Sequence, residues 1–221
     1  MVRILFEQEL REIRDNALLL GSMAQSAIER AVETFVLHDT VLARRVVEED
    51  SRINELRFAI EESCIQIMAT QQPIATDLRT IVAVLNIISD LERMADHGVG
   101  IAQITLLMDG PARGPVVDYI GDMASRATTM LHDSLTAFTS RNVELARELG
   151  ARDDEVDALY DRVYASAISM MVVQPEAITA LTYHLWAAHN LERVADRATN
   201  IAERVVFLVT GRMDEFNVSR Y

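Results

Sequence analysis

The chain has 221 residues, half of them hydrophobic, and a formal net charge of −13; every one of its 21 basic residues is an arginine. So acidic a chain is a poor candidate for direct nucleic-acid binding, which needs a basic face. The single Cys64 rules out an intrachain disulfide and a cysteine metal cluster, and no uncharged apolar run reaches the roughly 18 residues of a membrane span. With no signal peptide ahead of Leu5 and a lone thiol suited to a reducing compartment, the expectation is a soluble cytoplasmic protein.

The apolar content is mostly Ala, Val, Leu, Ile and Met, which suits helices packed on helices. The first predicted helix covers Phe6 to His38, where Leu10, Ile13, Ala17, Leu20, Ala24, Ala27, Ile28, Ala31 and Phe35 recur at three- and four-residue steps. His38-Asp39-Thr40 interrupts it, with Asp39 or Thr40 as N-cap of a second helix from Val41 to Thr70. Gln71-Gln72-Pro73 ends that helix, because proline suits a first turn and not an interior; a third then runs from Pro73 to Met108. The stretch Asp109-Gly110-Pro111-Ala112-Arg113-Gly114-Pro115 reads as a linker. Three more helices follow, Val116 to Arg141, Val143 to Val172 and Pro175 to Thr210, and the last residues read as a frayed tail.

The second half repeats the first. Arg141-Asn142 breaks the fourth helix as His38-Asp39 breaks the first, and Val156 and Leu159 answer Ile53 and Leu56 about a hundred residues on. The predicted fold is therefore all-α: two tandem three-helix bundles of long antiparallel helices, over 1–109 and 116–211, with a linker at 110–115 and a tail at 212–221.

The repeat is clearest in one motif. Leu91-Glu92-Arg93-Met94-Ala95-Asp96 returns as Leu191-Glu192-Arg193-Val194-Ala195-Asp196. Glu and Asp four apart share one helix face, where like charges repel by about 0.2–0.5 kcal/mol. At about 100° per residue Asn200 and Glu203 fall on the same side as Glu192 and Asp196, opposite the stripe of Leu191, Val194, Ala195 and Ala198. For a single helix that pattern is commonly a solvated polar face.

The neighbouring helix adds weight to a site. In the first half Asp50 and Asn54 stand about 20 residues before the turn, and Glu92 and Asp96 about as far after it. In the second half Asp153 and Asp157 match Glu192 and Asp196 in the same way. Equal rise puts each foursome at one height, and facing acids call for a cation between them. Oxygen donors of this kind suit Mg²⁺, Mn²⁺ or iron, with zinc less preferred. Because Asn54 stands where the second half has Asp157, and Gly100 and Gln103 where it has Asn200 and Glu203, the second site should be the more acidic and the tighter. His97 projects away from Asp96 and reads as structural or as a ligand; His189 lies on the acid side.

Asp90-Leu-Glu-Arg-Met-Ala-Asp-His97 and Asn190-Leu-Glu-Arg-Val-Ala-Asp-Arg197, the latter followed by Ala-Thr-Asn-Ile-Ala-Glu203, resemble the paired signatures of the PhoU family. Gln72-Pro73-Ile-Ala-Thr-Asp77-Leu-Arg79 resembles that family's entry to its third helix. The resemblance covers nearly the whole chain. It departs at Ala95 and Ala195, often Gly in the family, and at Gly100 and Gln103. It implies metal ions at the acidic motifs, iron or zinc, and a homodimer. It also implies a regulator of phosphate uptake and phosphate-starvation signalling whose partners are the phosphate ABC transporter ATPase and the phosphate-responsive sensor histidine kinase. The alternative is a metal-binding helical-bundle enzyme or a metal-storage protein. Ferritin-like di-iron sites place a Glu three residues before a His; here Phe35, Met94, Thr129, Leu181 and Trp186 precede the five histidines, so that signature is absent and no catalysis is expected.

Overall fold

In the computed structural model, residues 2–112 and 114–216 are described. Among them are six α-helices and no strand: α1 Val2–Leu37, α2 Thr40–Gln71, α3 Thr76–Leu107, α4 Pro115–Ser140, α5 Val143–Val173 and α6 Ile178–Thr210. The breaks fall where the sequence puts them. Asp39 accepts the amide N–H groups of Val41 and Leu42 at 3.0 and 2.9 Å, and Asn142 accepts that of Leu145 at 3.1 Å. His38 and Arg141, one residue ahead of these caps, are left-handed at φ 55° and 53°. The capping side chain in each half thus satisfies helix-start donors that no helix carbonyl can reach.

Two starts lie later than the prolines predict. Gln72 closes α2 in the left-handed region, Ala75 also has positive φ at 42°, and α3 begins at Thr76. In the second half Pro175 opens a single 3-10 turn, Pro175–Ala177, before α6. The tail is placed as far as Phe216 rather than frayed from Gly211. The Phe216 amide donates to Glu203 at 2.9 Å, and its side chain lies over Gly150. The remaining tail residues, 217–221, lie outside the described residues.

Helices α1, α2 and α3 pack on one another, as do α4, α5 and α6; α3 against α6 and α1 against α4 join the two bundles. The central α3 and α6 are buried on several sides, whereas α2 buries only Ala43, Val46, Ile53, Ile60, Cys64 and Ile67. On α1 the predicted stripe from Ile13 to Phe35 is buried. Phe35 and its counterpart Phe138 are enclosed, each contributing about 1.5–3 kcal/mol of transfer free energy. Close approach needs glycine at Gly98, where a Cβ would stand 3.2 Å from the Ile28 backbone. No helix among the described residues is long and apolar enough to cross a membrane.

Candidate functional site

The geometry of α5 and α6 brings together the four level-matched acids of the second half. Asp153 is 3% exposed, Asp157 is exposed, and Glu192 and Asp196 are half-buried. Burial first, then the charges of Asp196, Asp157 and Asp153, push the Glu192 carboxyl up to about 7 from its ordinary 4.5, against the lowering effect of Arg193. Asp196 is also raised by burial, opposed by Arg193, whose guanidinium donates to it at 3.0 Å. His189 borders the group, with Nδ1 3.4 Å from Glu192 Oε2 and its ring tilted against Tyr160.

Between α2 and α3 the first half repeats this arrangement more loosely. Burial and the charge of Asp96 raise Asp50, while Asn54 donates to Asp50 Oδ2 at 2.9 Å and lowers it. Glu92 is raised by burial and by Asp96, with Arg57 and Arg93 opposing and Asp50 adding to the rise. The facing that equal heights could only suggest is therefore present in both halves.

Among the described residues no three Asp, Glu, His or Cys side chains close to a spacing that would hold a metal ion. The acids are gathered as two groups, without a closed ligand cage. Their chemistry nevertheless fits a hard cation. Every donor is an oxygen, Asp50 Oδ1 is buried with no hydrogen-bond partner, and Glu192 is pushed up to about 7 by burial and then by the negative charges around it.

Asn200 and Glu203 do not join the second group. Asn200 donates to Asp90 of α3 at 3.4 Å, and Glu203 accepts the Phe216 amide. The physical reason is that α6 packs against α3 and α4 as well as α5, so the side opposite its main apolar stripe is shared between neighbours.

The residues flanking the motif, which periodicity alone does not single out, form the joint between the halves. Arg197 donates to Asp90 at 3.2 Å, and His97 Nδ1 lies 3.0 Å from Asn190 Oδ1. Asp90 and Asn190 hold the same place in the two copies, as do His97 and Arg197, so each copy bonds the other across an approximate two-fold axis. This pairing makes α3 and α6 antiparallel and identifies His97 as a structural histidine. Gly100 belongs here too, since a Cβ there would stand 3.0 Å from Asn190 Oδ1. Asp90 is raised by burial, offset by Asn200 and Arg197. The signal available in the sequence was the charge exchange just outside each repeat.

With this geometry in view, the likenesses to known proteins are consistent along the chain. The PhoU domain family model matches residues 18–105 and 120–205. A phosphate-specific transport system accessory protein PhoU homolog of Clostridium acetobutylicum is 35% identical over 218 residues, spanning 98% of this chain and 100% of its own. A homolog of the same description from Pseudomonas aeruginosa is 35% identical, over 93% of this chain and 86% of its own. The crystal structure of PhoU from Pseudomonas aeruginosa superposes with a TM-score of 0.90 at 31% identity, covering 94% of this chain and all of that one. The phosphate transport system regulatory protein PhoU from Streptococcus pneumoniae gives 0.88 at 31% identity, covering 95% and 99%. Two matched repeats, end-to-end relatives and a shared six-helix architecture place this chain in the PhoU family.

Proposed function

We propose that this protein is an accessory regulator of phosphate-specific transport and phosphate-starvation signalling. It binds the ATPase of the phosphate ABC transporter and the phosphate-responsive sensor histidine kinase, and acts by contact rather than catalysis. The observation that carries this reading is the end-to-end match to relatives named as accessory proteins of a phosphate-specific transport system. Metal ions are held by Asp153, Asp157, Glu192 and Asp196 in the second half, and by Asp50, Asn54, Glu92 and Asp96 in the first. A hard cation there neutralises the crowded carboxylates and ties α5 to α6 and α2 to α3. The test is a deletion strain grown in ample phosphate, together with capture of partners on the intact protein in the native host. Phosphate-starvation genes should be expressed in the deletion strain, and the transporter ATPase and the kinase should be retained. Unchanged expression with neither partner retained would overturn the reading.

A further inference from the structure

A groove of about 490 Å³ lies where the connection leaving α3 meets the turn between α5 and α6. Its size is that of a small-molecule site. It starts about 12 Å along α6 from the Glu192 group, since His184 and Glu192 are eight residues apart. Its walls include Met108, Met170 and Tyr183, and its polar groups include Asp109, Glu176 and His184. No arginine lines it among the described residues.

His184 is the unusual member. It is 3% exposed, its ring stands edge-on to Phe35, and its Nδ1 lies 2.6 Å from the Ala180 carbonyl oxygen. A carbonyl only accepts, so Nδ1 carries the hydrogen and the neutral ring presents a lone pair at Nε2. Burial lowers the pKa of His184 and keeps the ring neutral. Nε2 is buried with no hydrogen-bond partner, so a protein acceptor stands ready for a donor.

We infer that this groove binds a small organic cation with an apolar body, its ammonium N–H reaching His184 Nε2 and its charge balanced by Asp109 and Glu176. The aromatic Tyr183 and the polarizable Met170 among the lining residues suit such a body. Among the described lining residues an anion, phosphate included, meets two carboxylates and a lone pair, which disfavour it. The site is independent of the transport reading and of the carboxylate groups.

The test uses the full chain, labelled with ¹⁵N, titrated with n-hexylamine, hexanoate and 1-hexanol at neutral pH. Hexylammonium should shift the His184 Nε2 resonance saturably and move amides of the α5–α6 turn. Hexanoate should leave them in place, and hexanol should bind more weakly than the amine. Asp109 and Glu176 are both exposed, so Asp109→Asn with Glu176→Gln should fold normally and weaken hexylammonium by about fivefold. Equal binding of all three compounds, an unmoved Nε2 resonance, or undiminished affinity in the double variant would each overturn the assignment.

Discussion

The two carboxylate groups occupy the same place in two copies of one bundle, yet they are electrically different. In the first, Asn54 replaces one acid and donates to Asp50, so the group partly satisfies itself. In the second, Asp157 stands at that place, Asp153 is almost fully enclosed, and Glu192 rises to about 7. Both groups are raised by burial, but the amide of Asn54 relieves Asp50 in the first, whereas in the second the added charge of Asp157 works with burial to lift Glu192 further.

The largest expected effect follows from that difference. Metal content after mild purification should fall sharply in Glu192→Ala with Asp196→Ala, and by less in Glu92→Ala with Asp96→Ala. Equal losses would mean that Asn54 does not weaken the first group, and the contrast would fail. No loss in either variant would remove the metal assignment altogether.

Next in size is the joint between the halves, which pairs one charged contact with one neutral contact. Arg197→Ala leaves the buried Asp90 with Asn200 alone and should cost about 3 kcal/mol, in the range for breaking a buried ion pair. His97→Ala at the symmetry-related place should cost about 1 kcal/mol. Urea unfolding of both variants measures the gap; equal costs would show that the ion pair adds nothing beyond a neutral hydrogen bond.

The smallest effect concerns pH. Glu192 has a folded pKa of about 7 above its ordinary 4.5, so the folded state favours its protonated form. Its contribution to stability is therefore fully present below about 4.5 and is lost as pH rises through about 7, by on the order of 2 kcal/mol. In chelator, wild type should lose stability relative to Glu192→Gln across that window. In added metal the order should reverse, because the ion binds the ionised carboxylate of the folded chain. Melting curves at several pH values would show both signs. Parallel curves for the two proteins in chelator would mean that folding, through burial and the neighbouring acids, does not raise the Glu192 carboxyl.

Much of this was legible in the sequence because helices obey a fixed rise and a fixed rotation. The breaks at His38-Asp39 and Arg141-Asn142 were readable from residue type, and the heights of Asp50 against Glu92 and Asp153 against Glu192 from counting. Rotation about the helix axis was not legible, because it depends on which neighbours share each face. On α6 the helical wheel put Asn200 and Glu203 beside Glu192, but three neighbouring helices divide its circumference and send those two to Asp90 and Phe216. The starts of α3 and α6 fall later than the prolines predict because proline permits a first turn without requiring one. Ala75 at positive φ and the 3-10 turn at Pro175 each delay the helix.

The exchange between Asp90, His97, Asn190 and Arg197 also governs which half recognises which. A protein made of two near-copies could in principle pair first half with first half across two chains, or second with second. First with first would set Asp90 against a His97 whose burial lowers its affinity for a proton. Second with second would set Arg197 against Asn190 twice, burying a guanidinium with no carboxylate opposite. Only the unlike pairing joins Asp90 to Arg197, so the four flanking residues act as an address that directs each half to its own chain.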